Sequence, residues 1–176
     1  RVALRARAGR NVEFKLSYTE MNQANHLVAT TYLDLPTNCW MPSTSKVAPS
    51  HSKQVAGGVY ASLPHDISIS VEGYYKSMRD ILEYGGEAAM FPPIDDWETT
   101  FLQGKGRSYG LELSFIYNGT IFTGEAYYTL SKTERFFEDI CENWYPDRND
   151  NRHKINIQGA WKIGERIDLS AAWVCH

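Results

Sequence analysis

At 176 residues the chain is long enough for one ordinary domain with a buried core. Its net charge of −3 comes from acidic and basic residues that alternate instead of gathering in a stripe, which excludes the electrostatic footprint of a nucleic-acid binder. No run of ~18 apolar residues exists, so no transmembrane helix is expected, and no charged-then-apolar leader is visible; neither absence bears on barrel strands, whose apolar residues come only at alternate positions.

Period-two patterns recur from end to end, and no amphipathic helical stretch of useful length interrupts them. The first run sets Val2, Leu4, Ala6 and Ala8 against Ala3, Arg5 and Arg7; the second sets Val12, Phe14, Leu16 and Tyr18 against Glu13, Lys15, Ser17 and Thr19. After a long gap, Val55, Gly57, Val59, Ala61 and Leu63 alternate with Gln54, Ala56, Gly58, Tyr60 and Ser62. Ile67, Ile69, Val71, Gly73 and Tyr75 then alternate with Ser68, Ser70, Glu72, Tyr74 and Lys76. The next pair sets Leu111, Leu113, Phe115 and Tyr117 against Gly110, Glu112 and Ser114, then Phe122, Gly124, Ala126, Tyr128 and Leu130 against Thr123, Glu125, Tyr127 and Thr129. The last two runs carry Ile155, Ile157, Gly159 and Trp161, then Ile167, Leu169, Ala171 and Trp173. The pattern predicts an all-β chain, an antiparallel up-and-down meander of about eight strands.

The connections alternate strictly between short and long. Gly9-Arg10-Asn11, Leu63-Pro64-His65-Asp66, Asn118-Gly119 and Ile163-Gly164-Glu165-Arg166 read as tight hairpin turns, the Asn-Gly as a type I′ pair with both central residues at positive φ. Residues 20–53, 82–107 and 132–151 read as long loops. In a meander every second connection lies at the same end of the sheet, so all tight turns fall at one end and all long loops at the other. Outer-membrane barrels sort their connections this way, with short periplasmic turns and long extracellular loops. Aromatic placement agrees: Tyr18, Tyr75 and Tyr128 lie on the apolar face near the long-loop end, and Tyr117 and Trp161 beside the tight turns, as two interfacial girdles require. The competing expectation is a soluble sandwich whose apolar side faces a second sheet.

The polar side interleaves both signs: Arg5, Arg7, Glu13, Lys15, Glu72, Lys76, Glu112, Glu125 and Lys154 suit charge ladders across strands that line a wet lumen. Chemistry finds no foothold, so no enzyme, cofactor or metal site is expected. His26, His51, His65, His153 and His176 are isolated, and serines sit in no GxSxG context. Asp147, Asn149 and Asn151 resemble the start of a calcium loop, but Arg152 and Gln158 stand where its glycine and glutamate belong. Asn118-Gly119-Thr120 matches a glycosylation sequon that its turn position explains without a sugar. Cys39, Cys141 and Cys175 are too few for a disulfide scaffold; Cys39 and Cys141 fall in long connections on one side of the fold, leaving a disulfide or free thiols open. The long loops carry recognition-type residues, and Tyr32, Trp40, Trp97, Phe101, Trp144, Tyr145 and Arg148 are the candidate ligand contacts, with packing of loops against one another the plainer role for the aromatics.

Six segments in order carry a family resemblance: LPTNCWMPST at 35–44, SKQVAGGVYASL at 52–63, VEGYYKSMRDILEY at 71–84, GKGRSYGLELSF at 104–115, GEAYYTLSKTER at 124–135 and WYPDRNDNRHKINI at 144–157. Together they resemble the C-terminal part of the barrel of a TonB-dependent outer-membrane receptor of the Bacteroidetes type. The resemblance implies a barrel of 22 antiparallel strands in the bacterial outer membrane, with an N-terminal plug. It also implies energised uptake of a scarce nutrient such as a siderophore, corrinoid or glycan. The implied partners are membrane lipid, TonB acting through the plug, the small nutrient ligand and a surface lipoprotein, with no nucleic acid. The chain departs from the family by omission: it has no plug, no TonB box and about eight of the strands, and both ends look cut, so residues 1–176 are expected to form a single barrel fragment, an open wall unable to transport alone. Two alternatives stand beside it: a complete eight-stranded outer-membrane protein with a structural or adhesive role, and a soluble β-sandwich that binds carbohydrate.

Overall fold

A computed structural model describes residues 1–28, 39–86 and 97–176. The chain is all-β, with one dominant antiparallel sheet. Its long strands are β1 (Val2–Ala8), β2 (Val12–Gln23), β5 (Ser50–Leu63), β6 (Ile67–Tyr84), β7 (Phe101–Asn118), β8 (Phe122–Phe136), β10 (His153–Lys162) and β11 (Asp168–Cys175). They lie side by side in chain order, β1-β2-β5-β6-β7-β8-β10-β11, as a meander should. Three short strands decorate the loop end: β3 (Asn25–Val28) pairs with β4 (Cys39–Pro42) as a separate ribbon, and β9 (Tyr145–Pro146) adds to the upper part of β8. A single-turn helix, α1 (Trp97–Thr100), precedes β7.

Register fixes which residues share a face, because directly opposed residues point the same way. One row runs Ala6, Phe14, Val59, Val71, Leu113, Tyr128 and Ile155 across consecutive strands. Its neighbours run Leu4, Leu16, Gly57, Gly73, Leu111 and Leu130, and Ala8, Val12, Ala61, Ile69, Phe115, Ala126, Ile157 and Trp173. The tyrosine row holds Tyr18, Tyr75 and Tyr109, with Lys132 level with them. The expectation that Tyr128 joins this girdle is corrected, since it stands level with Leu113 at mid-strand. Below the tyrosine row down to the tight turns this face carries no Asp, Glu, Lys or Arg.

No second layer covers that face among the described residues: Leu16 is 53% exposed, Phe115 43% and Trp173 53%. The buried apolar residues described are Val47, Trp97, Phe101 and Phe137, all at the long-loop end. The core therefore sits among loops, and the sheet itself has none. The outermost strands, β1 and β11, pair with β2 and β10 and not with each other, so the sheet is open.

All tight connections do lie at one end and all long ones at the other. The turns are built differently from one another. Gly9 and Gly164 take positive φ, as do His65 and Asp66. The type I′ expectation at Asn118-Gly119 is corrected: neither residue adopts positive φ, and the chain reverses over residues 119–121 while Asn118 opposes Thr123. The longer reversal is closed by hydrogen bonds with neighbouring segments, Asn118 N–H to the Asp66 carbonyl in the adjacent turn (3.0 Å) and Lys162 N–H to the Ile121 carbonyl (2.8 Å), so it needs no left-handed pair.

The strands outrun their expected ends at the loop side. β6 continues to Tyr84 and β7 begins at Phe101, so the loop placed at residues 82–107 shrinks to residues 85–100. A bulge makes this extension useful. Asp80, at φ 55°, is the extra residue between the Arg79/Lys105 and Ile81/Gly104 pairs, and its carbonyl accepts a 2.7 Å hydrogen bond from Ser50 Oγ. One inserted residue swaps the faces beyond it, carrying Leu82 and Tyr84 to the apolar side beside Phe101. There they meet Val47, Trp97 and Met41 and form the loop core.

Candidate functional site

The candidate site is the rim of the polar face at the long-loop end, built by strand ends that project beyond the apolar belt. Below it, the polar face is a connected set of charges and hydroxyls. Glu13 receives Arg5, Arg7 and Lys15, and the Lys15 ammonium also lies 3.7 Å from the centre of the Tyr60 ring. Ser70 and Ser114 share a 2.7 Å hydrogen bond, and Glu125 accepts from Tyr127 and from Gln158. Of the expected charge ladder, Arg5, Arg7, Glu13 and Lys15 form ion pairs and Glu125 accepts hydrogen bonds, whereas Glu72 and Glu112 stand directly opposite each other as like charges.

At the rim two structures stand side by side. The first is a cleft of about 510 Å³ between the β3–β4 ribbon and the ends of β2, β5 and β6, with Gln23, Ser52 and Lys76 as polar contacts and Met21, Met78 and Ile81 as apolar ones. His26 closes its back. It is buried, its Nε2 lies 2.9 Å from Ser43 Oγ, and burial pushes its imidazole below the ordinary histidine range, so it stands neutral. The second is an ionic clamp. Arg135 on β8 donates to Glu83 on β6 at 2.5 Å and to Asp147 in the third loop. Asp147 also accepts from Asn149 N–H at 2.8 Å, and Asp150 accepts from Thr133 N–H at 2.7 Å.

This clamp disposes of the calcium-loop resemblance: Asp147 spends its charge on Arg135, and its other oxygen closes a turn. Among the described residues no group of three or more metal-ligating side chains gathers. The arrangement offers hydrogen bonds and one lysine beside an apolar wall, which is recognition chemistry.

The sequence-predicted contacts do not converge. Tyr32 lies outside the described residues. Trp40, on β4, is 62% exposed. Trp97 and Phe101 are buried against each other, ring centres 6.4 Å apart, and serve the loop core. Trp144 packs over the Arg107 guanidinium at 4.3 Å and against Phe136, on the apolar side of the sheet. Tyr145 opposes Arg135 in β9, and Arg148 is exposed just beyond the clamp. Cys141 is a free thiol. The cleft residues Gln23, Ser52 and Met78 went unnoticed, although continuing the period-two pattern of β2 and β6 past Tyr18 and Lys76 points to them. Nothing local signals the Arg135–Glu83–Asp147 clamp, whose members lie up to 64 positions apart in the chain. No protein-family model matches this chain, and none of the curated proteins does.

Proposed function

We propose that this chain is a stretch of wall from the β-barrel of a TonB-dependent receptor in a bacterial outer membrane, one of about 22 strands' worth of barrel in that family. The observation that carries the reading is the uncovered apolar face, continuous over every long strand and free of formal charge below the tyrosine row down to the tight turns. A face of that extent is far larger than the few hundred Å² of apolar patch a soluble monomer ordinarily exposes. Its dimensions suit a bilayer. From Tyr109 to Tyr117 the strand advances about 27 Å at ~3.4 Å per residue, which a barrel tilt of ~40° converts to about 20 Å, close to the ~25 Å apolar band of outer-membrane barrels.

Openness supports a large barrel over a small one. The free backbone edges of β1 and β11 call for further strands, and the interleaved charges of the polar face suit a wide lumen better than a packed interior. In this reading the rim cleft and clamp meet the incoming nutrient, and transport proceeds through contact between TonB and a plug. The receptor reading is tested in cells. The protein should fractionate with the outer membrane, and deleting its gene should abolish high-affinity uptake of one nutrient to the same extent as deleting TonB. Recovery in the soluble fraction as a monodisperse monomer would overturn the reading.

A further inference from the structure

Above the tyrosine row the apolar side changes character within two register steps. The first row beyond Tyr18, Val55, Tyr75 and Tyr109 holds Glu20, Lys53, Ser77, Arg107 and Glu134; the next holds Asn22, His51, Arg79, Lys105 and Phe136. Lys132 stands level with the tyrosines, opposite Tyr109. Two carboxylates face five cations. Lys53 pairs with Glu20 at 3.1 Å, and Arg107 and Lys132 share Glu134 at 2.7 and 2.6 Å. Arg152, nearby, pairs with Asp150 at 3.3 Å.

Arg79 and Lys105 have no acidic partner of their own, the Lys105 ammonium lying 5.9 Å from the centre of the Phe136 ring. They oppose each other directly across β6 and β7, both are exposed, and neither has a carboxylate within ion-pair distance among the described residues. Like charges in direct cross-strand register repel, so the pair costs stability unless an anion sits between them. Arg107 stands two residues from Lys105 on the same side of β7, its guanidinium held between Glu134 and the Trp144 ring. The pair stands just beyond the tyrosine row, above the charge-free apolar face.

We propose that Arg79 and Lys105, flanked by Arg107, bind the phosphate of an anionic lipid headgroup whose acyl chains lie along the apolar face below. A phosphate offers several charged acceptor oxygens, enough to bridge a guanidinium and an ammonium at once. Attachment to acyl chains would place it at this height, at the boundary where strand side chains turn from apolar to charged. The site rests on the membrane reading of the preceding subsection and adds a lipid preference on the long-loop side.

The test uses the intact protein in nanodiscs of phosphatidylcholine alone or with phosphatidic acid, reading retained lipid by native mass spectrometry after gentle detergent release. The expected result is selective retention of phosphatidic acid, reduced roughly tenfold or more in R79Q/K105Q and unchanged in K162Q on the opposite face. Both substituted residues are exposed, and heat-modifiable migration on gels checks that the variant is folded. Equal retention of both lipids by the native protein, or undiminished preference in R79Q/K105Q, overturns the proposal while leaving the membrane reading intact. Saturation by inorganic phosphate with no lipid retained makes it a free-phosphate site and overturns the lipid assignment. Failure to enter neutral nanodiscs sinks both readings together.

Discussion

Arginine placed along the apolar side of β7 separates a lipid contact from a protein contact. Tyr109 and Leu113 have the same fractional exposure, 38% each, so a covering layer of protein would penalise arginine similarly at the two positions. In a bilayer they differ by depth. Leu113 lies about 14 Å along the strand from each of Tyr109 and Tyr117 at ~3.4 Å per residue, hence close to the midplane. Leu113→Arg should therefore cost about 2–4 kcal/mol, and Tyr109→Arg about 0–1 kcal/mol. Ser114→Arg points to the polar face and loses only the hydrogen bond with Ser70, about 1 kcal/mol. Denaturant unfolding of the intact protein in phospholipid bilayers, followed by tryptophan fluorescence, gives all three values. A flat profile from Tyr109 through Leu113 to Tyr117, or a larger loss at Ser114 than at Leu113, refutes the assigned orientation.

Other consequences lie at the loop end. Phe101→Ala removes a ring packed against Trp97 and Tyr84 and should cost the loop core about 3–5 kcal/mol, seen as faster proteolysis after residue 85 with the middle of the large sheet still protected. Gly104→Ala sets a methyl 2.5 Å from the Phe137 ring and 2.6 Å from the Phe136 carbonyl; overpacking of about 1–3 kcal/mol should loosen the third loop in hydrogen exchange and leave β7 near Leu113 unchanged. Because burial lowers the His26 pKa below its unfolded value, the unfolded ribbon binds the proton more readily. Stability from neutral His26 is thus full above about pH 6.5 and falls as the solution is acidified through the folded pKa, so amide protection of the β3–β4 ribbon should drop there, and His26→Gln should flatten that dependence.

Much of the sheet was legible because register in a meander is local. The alternation that put Phe14, Val59, Val71 and Leu113 on one side is written in each strand, and the tight turns fixed the pairing. The sorted loops followed from their lengths. What escaped depends on long-range contacts. Asp80 looks like one more polar residue in a strand, yet as a bulge it reverses the face of Leu82 and Tyr84 and decides where the loop core forms. Asn118-Gly119 carries the strongest local hairpin signal in the chain, and backbone bonds to the Asp66 carbonyl in the neighbouring turn and from Lys162 N–H at the end of β10 override it. The aromatic loop residues were legible as a group but not in their roles: composition alone cannot separate Trp97, which the loops bury, from Trp40, which they leave exposed. The clamp on Arg135 joins β6, β8 and the third loop and has no signature in any one of them.

The most direct test is a nitroxide scan of the membrane-embedded protein, comparing collision with oxygen, which concentrates in hydrocarbon, and with a water-soluble nickel chelate. Labels at Phe14, Val71, Leu113 and Ile155 should collide with oxygen and be shielded from nickel, while labels at Lys15, Ser70, Ser114 and Asn156 should meet nickel. Nickel access at both sets, or shielding of the first set from both reagents beneath another layer of protein, contradicts the account.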